Sequence, residues 1–287
     1  MPNHPRKRFG QHWLRSDAVL QQIVDAADLK SGDRLLEIGP GKGVLTRQLS
    51  ERSASVLAVE VDRDLCTYLR QEFQSMSNIL LIEGDILSLN LEHLHSGGNE
   101  SNTGGEQWLN KVVANIPYYI TGPILEKLLG AIARPNPRPF ESIVLLTQKE
   151  VAERVCAEAT SKAFGALSVR VQYLAECEYV CTVPSKAFFP APKVESAVIK
   201  LTPRSFDPQA IAPAALETLV KVGFSMKRKM LRNNLKSLVE RDRLLSAFDT
   251  LGINHEARAE EVSTRNWVKL SNYLSQGLAE KEASQEA

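Results

Sequence analysis

Asn115-Ile116-Pro117-Tyr118 ends an apolar run that begins at Lys111, at the point where a strand should give way to a turn. An amide, a proline and a tyrosine in this order suit the handling of an amino group on an aromatic base. The exocyclic nitrogen of adenine is a poor nucleophile because its lone pair is delocalised into the ring, and it carries two hydrogens. The side-chain oxygen of Asn115 and a backbone oxygen of Ile116 or Pro117 can hold both, turning the lone pair out of the ring without a strong base. Pro117 stiffens the turn, and Tyr118 offers a face on which an extruded base can stack. The same four residues also occur as a plain strand-to-helix turn with a buried tyrosine, and Tyr119 is expected in the core.

A second set of residues precedes it. Gly39, Gly41 and Gly43 in "LLEIGPGKG" let the chain turn tightly after a strand and let a ligand approach the backbone. Glu60 closes "SVLAVEV" and Asp85 closes "NILLIEGD", and the carboxyl ends of strands in an open parallel sheet line one crevice. Glu60 can accept both ribose hydroxyls and Asp85 an adenine amino group, which together would hold an adenosine. Either acid alone would serve equally as a helix N-cap, a role that suits Asp62 and Asp64 better. Val44 follows the third glycine where a dinucleotide loop needs a small residue, and no Gly-Lys-Ser/Thr is present. S-adenosylmethionine fits best, its amino-acid end on the Gly39–Gly43 backbone, with Lys42 pointing into solvent.

These residues need strands that end side by side. Ser16 or Asp17 opens a helix through Val19, Leu20, Ile23, Val24 and Ala27, after which apolar runs alternate with helical segments through Leu45 and Leu49 and through Leu65 and Leu69. "KVVAN" and "SIVLLTQ" supply a fourth and fifth strand around a helix through Leu125, Leu128 and Leu129. The alternation predicts an α/β fold with a mostly parallel, doubly wound sheet. "LSVRVQYLAECEYVCTV" is expected to be a sixth strand and "SAVIKLTP" a seventh. "HSGGNESNTGGEQ", residues 95 to 107, reads as a flexible surface loop. The pattern breaks around "PRSFDPQAIAP", so a large domain is expected over 1–205 and a small helical one over 206–287, ending in a disordered polar tail, "AEKEASQEA".

Composition narrows the class. The chain has 287 residues, 43% of them hydrophobic, ample for a core. Four cysteines are too few for a disulfide framework and lack zinc-site partners, so a reduced protein without structural metal is expected. No signal-like or 18-residue apolar stretch occurs, which predicts a cytoplasmic protein without a membrane span. The net charge of +1 conceals two basic clusters: Arg6, Lys7, Arg8 and Arg15, and Lys227, Arg228, Lys229, Arg232 and Lys236. Each could be a solvated face or a nucleic-acid contact.

"KRFGQHWL", "EIGPGKGVLT", "VEVDRDL", "EGDIL", "NIPYYIT", "QKEVAERV", "PSKAFFPAPKVESAV" and "KRKMLRNNL" occur in one order across nearly the whole chain. Together they resemble the ribosomal RNA adenine N6-dimethyltransferases, most closely the small-subunit branch. The resemblance implies a Rossmann-like methyltransferase sheet, S-adenosylmethionine as cofactor, and two adjacent adenines in the 3'-terminal hairpin loop of small-subunit rRNA as substrate, each methylated twice during subunit biogenesis. It implies cofactor contacts at Leu14, Gly39, Gly41, Glu60, Asp85 and Asn115, and at His12, where the family usually has asparagine. It makes Phe188 the second stacking aromatic, opposite Tyr118, and gives Phe189 no counterpart. Arg6, Lys7, Arg8, Lys227, Arg228, Lys229 and Arg232 become phosphate contacts for rRNA within immature small-subunit particles. A monomer is expected. The alternatives are a large-subunit enzyme of the macrolide-resistance type and an assembly checkpoint acting mainly by binding; a DNA or protein-glutamine methyltransferase would more often carry proline in place of Ile116.

Overall fold

The computed structural model describes residues 5–6, 9–91 and 108–285. The 95–107 loop, Lys7 and Arg8 lie outside the described residues. β1 (Trp13–Leu14) leads into α1 (Asp17–Ala27), where the Ser16 hydroxyl accepts from the Val19 N–H at 3.4 Å and five apolar residues form one buried face. Then follow β2 (Arg34–Ile38), α2 (Val44–Ser50), β3 (Ser55–Glu60), α3 (Arg63–Glu72), β4 (Ile79–Glu83), β5 (Lys111–Asn115) and α4 (Thr121–Leu129). A two-residue hairpin, β6 (Gly130–Ala131) and β7 (Arg134–Pro135), precedes β8 (Ser142–Gln148) and α5 (Lys149–Val155). The chain continues through α6 (Ala166–Leu174), β9 (Ala175–Val183), β10 (Phe188–Phe189), β11 (Ser196–Pro203), α7 (Pro213–Gly223), α8 (Leu231–Leu235), α9 (Arg241–Leu251) and α10 (Thr264–Gln285).

Seven strands form one sheet in the order β4-β3-β2-β5-β8-β11-β9. The five from β4 to β8 are parallel, and β11 runs antiparallel to β8. Strand order reverses between β2 and β5, which makes the crevice beyond their carboxyl ends the place where such a sheet binds ligands. The opposite ends of the same two strands are fastened by a buried ion pair, Lys111 Nζ to Asp33 Oδ2 at 2.8 Å, and Lys111 also donates to the Asp28 carbonyl at 2.7 Å. Burial alone would raise the Asp33 carboxyl; hydrogen bonds from Lys111, Asn110 and the Lys30 N–H outweigh it and hold the group below its ordinary value.

Compact packing divides the chain into two units. One comprises residues 1–128, 138–152 and 178–203 and holds most of the sheet; the other comprises 129–137, 153–177 and 204–287. Residues 129–137 and 153–177, which a boundary at 205 assigned to the large domain, thus pack with the C-terminal helices. In that second unit Trp267 is fully buried with Phe224 5.4 Å away, and its ring fills the space a Cβ on Gly223 would need. The sixth-strand expectation is half corrected: residues 166–174 are helical, started by Gly165, whose N–H donates to Ser168 Oγ at 3.0 Å, and the strand begins only at Ala175. The backbone of α10 continues as helix to Gln285. No helix among the described residues is long and apolar enough to cross a membrane.

Candidate active site

A cavity of about 340 Å³ opens at the crevice between β2 and β5, within the first unit. The glycine loop forms its floor. Gly39 has φ +70°, and a Cβ there would meet nothing but the Asn115 carbonyl oxygen at 3.7 Å, so this glycine leaves room for a ligand rather than for packing. Gly43 serves structure instead: at φ +77° its missing Cβ would lie 2.5 Å from the Phe73 ring.

Glu60 is 4% exposed. Its Oε1 accepts from the Asp62 N–H at 2.9 Å and its Oε2 from the Gly41 N–H at 3.2 Å. Burial raises its pKa, and the amides of Asp62, Gly41 and Val61 oppose the rise. The carboxylate keeps acceptor capacity for a hydroxyl of a ligand. Asp85 is exposed at the cavity edge, where its Oδ1 accepts from the Leu87 N–H at 2.9 Å, so it braces a turn and still presents a second oxygen.

Asn115 ends β5. Its Nδ2 donates to the His12 carbonyl at 3.1 Å, which leaves Oδ1 as the acceptor for a ligand amino group. Tyr118 follows in a short 3-10 turn. Its phenol oxygen lies 2.5 Å from the buried Ser196 Oγ, which holds the tip of the ring, and the Thr121 hydroxyl donates to its backbone carbonyl at 3.1 Å, which holds the turn; burial raises the phenol's pKa. The His12 ring lies nearly parallel to it, 5.8 Å between centroids and 17° between planes, with Nδ1 2.7 Å from the Pro190 carbonyl.

Residues 9–14 supply another wall, and Asp62 secures it. Asp62, 3% exposed, caps α3 through the Asp64 N–H and accepts from Gln11 Nε2 at 3.1 Å. Arg6 reaches the same carboxylate at 3.0 Å and pairs with Asp64 as well. Expected among the phosphate contacts, Arg6 is thus held by two acids. Leu14 pairs with Phe188 across β1–β10 and also borders the cavity.

Three side chains sit elsewhere than expected. Phe188 is 4% exposed within the apolar core beside Val19 and Val198 and does not reach the cavity, because successive residues of β10 point to opposite faces and Phe189 takes the outer one. Tyr119, expected in the core, is 64% exposed. Lys42, expected in solvent, lies over the Trp13 ring, 4.2 Å from its centroid. Lys227, Arg228 and Lys229 are exposed in the second unit, before α8, which carries Arg232. Sequence reasoning missed Glu37, a carboxyl 1% exposed that lines the cavity. Burial pushes it up to about 8; the Thr46 hydroxyl opposes this without a hydrogen bond of normal geometry, leaving Oε2 unpartnered, and Glu60 adds to the rise. Its signal was a lone acid inside the apolar run "RLLEI".

The family model for ribosomal RNA adenine dimethylase matches residues 3–276. The chain belongs to the ribosomal RNA adenine dimethylase family. Curated relatives named ribosomal RNA small subunit methyltransferase A include those of Trichormus variabilis, 57% identical over 94% of this chain and 98% of the relative, and Thermosynechococcus vestitus, 54% identical over 94% and 97%. Among solved structures, a dimethyladenosine transferase from Plasmodium falciparum superposes with a TM-score of 0.73 at 25% identity, covering 92% of this chain and 98% of that one. The 23S rRNA methyltransferase ErmE superposes at 0.70 with 28% identity, covering 92% and 100%. This chain is thus a methyltransferase-fold member of the dimethylase family, and the residues present fit its adenosine-bearing cofactor: a glycine at positive φ with open space above it, an acid with spare lone pairs at each of two strand ends, and the amide oxygen of Asn115.

Proposed function

We propose that this protein transfers methyl groups from S-adenosylmethionine to N6 of two adjacent adenines in the 3'-terminal hairpin loop of small-subunit rRNA, yielding N6,N6-dimethyladenosines. The substrate is rRNA within immature particles, in the cytoplasm, and the enzyme works as a monomer. The observation that carries the reading is the orientation of Asn115: its amide donor is committed to the His12 carbonyl, so its acceptor end is available beside the glycine loop. The 54–57% identity to small-subunit relatives, against 28% to the large-subunit enzyme ErmE, supports the small-subunit substrate.

The cofactor, when bound, supplies an electrophilic methyl group. Glu60 would hold its ribose, Asp85 its adenine amino group, and the Gly39–Gly41 backbone with Leu14 and His12 its remaining end. Asn115 Oδ1, with the Ile116 or Pro117 carbonyl, would accept from the target N6 hydrogens and turn the lone pair outward. Tyr118 would stack on the base, its ring fixed by Ser196. After the first transfer one N–H remains, which one acceptor can still hold. The exposed Lys227, Arg228 and Lys229, with the half-buried Arg232, would meet phosphates.

Nucleoside mass spectrometry on small-subunit particles lacking these methyl groups tests the reading. Incubated with S-adenosylmethionine, they should gain N6,N6-dimethyladenosine at two adjacent 3'-end adenines with wild type and not with Asn115→Ala, while the variant still binds particles. Methylation of naked large-subunit rRNA instead would refute the substrate; wild-type activity in Asn115→Ala would refute the role of the amide.

A further inference from the structure

Two aromatic rings beside the cavity are exposed where packing gives no reason for them. Tyr119 is 64% and Phe189 37% exposed. Tyr119 directly follows Tyr118, lines the same cavity, and runs along Gly10, where a Cβ would come within 3.3 Å of its ring. Phe189 stands opposite Trp13 in the β1–β10 pair, on the outer face, while its neighbour Phe188 fills the core. The Arg15 guanidinium lies over the Phe189 ring, 4.0 Å from its centroid, and among the described residues has no carboxylate partner. Pro190, the next residue, takes the His12 ring that stacks on Tyr118. Both rings therefore adjoin the acceptor turn.

An apolar protein partner would want a continuous apolar area, and here Arg15 and His12 interrupt it. An exposed ring with an unpaired cation on it suits single-stranded nucleic acid, whose bases all have a stacking face and whose phosphates are anionic. We propose that Tyr119 and the Arg15-capped Phe189 are stacking platforms for the nucleotides that flank the target adenine, with Arg15 placed to meet the adjoining phosphate. This rests on the rRNA-adenine reading above and extends it from the reacting base to its neighbours.

The test compares wild type with Tyr119→Ala, Tyr119→Trp, Tyr119→Leu, Phe189→Ala, Phe189→Trp and Phe189→Leu. Single-turnover methylation of small-subunit particles lacking the methyl groups is measured, and S-adenosylhomocysteine affinity is measured by calorimetry. The alanine and leucine variants should lose about 5- to 150-fold in kcat/KM, the range of one base–aromatic stack, and the tryptophan variants should recover it. Thermal melting should report an intact fold throughout, and affinity for S-adenosylhomocysteine should stay within about twofold in the Phe189 variants, whose side chain does not line the cavity. Alanine variants at the wild-type rate, or leucine as effective as tryptophan, would overturn the platforms and leave the rRNA reading standing. If wild type itself leaves the particles unmethylated, that reading falls and this inference with it.

Discussion

Replacing Glu37 by glutamine should flatten the pH dependence of folding. Glu37 is 1% exposed, and burial pushes its carboxyl from 4.5 to about 8. Between those values the folded chain holds a proton that the unfolded chain has released. Stability contributed by the neutral carboxyl is therefore complete below about 4.5 and is lost as pH rises through 8. The slope within that window approaches about 1.4 kcal/mol per pH unit, and the full span amounts to roughly 5 kcal/mol. Glu37→Gln keeps the shape and removes the titration. Urea unfolding of both proteins without cofactor, at pH 5.5, 7.0 and 8.5, gives two curves whose difference should shift by several kcal/mol in favour of the variant as pH rises. Parallel curves would show that Glu37 ionises freely in the fold, and the assignment of an uncompensated buried carboxyl would be wrong.

Asp62→Asn keeps an equally good cap on α3 but removes the charge that Arg6 meets and the oxygen that takes Gln11, and because Arg6 is 36% exposed and Gln11 only half-buried the loss is about 1 kcal/mol. Calorimetry should show roughly fivefold weaker S-adenosylhomocysteine binding, and unchanged affinity would mean that the 9–14 wall does not depend on this clasp. The glycines at 43 and 39 should separate stability from binding. Gly43→Ala combines strain at φ +77° with a 2.5 Å clash on Phe73 and should cost about 2–5 kcal/mol, lowering Tm by roughly 5–10 °C. Gly39→Ala, with open space around it, should cost about 1–2 kcal/mol in stability yet weaken cofactor binding far more; equal effects in the two variants would contradict the division.

The sheet was legible because strands buried on both faces are near-continuous apolar runs, and each ends in a residue of different chemistry: Gly39, Glu60, Asp85, Asn115. "SIVLLTQ" and "SAVIKLTP" match β8 and β11 residue for residue. The failure at 166–174 has a physical cause. Val169, Val171 and Tyr173 are all buried, so a helix packed on more than one side shows the two-residue rhythm of a strand. Phe188 and Phe189 posed a different problem, since a two-residue strand has no periodicity from which to tell its inner face.

The cavity wall built from residues 9–14 was the least legible part of the site, because nothing local in "KRFGQHWL" says what it packs on. Its contacts are made at long range: Gln11 and Arg6 with Asp62, His12 with Asn115 and Pro190, Leu14 with Phe188. Asp62 was read as a cap, and it is one, but a cap needs only one carboxylate oxygen, and the second is what takes Gln11. The same residue's N–H holds Glu60. One short stretch after β3 therefore sets Glu60 and anchors the segment opposite it, while Asn115 anchors that segment from β5 and keeps its own oxygen for the cavity. The N-terminal segment is thus tied at separate points to the residue that would hold the cofactor and to the residue that would hold the acceptor, so a change in its position must alter both sites together.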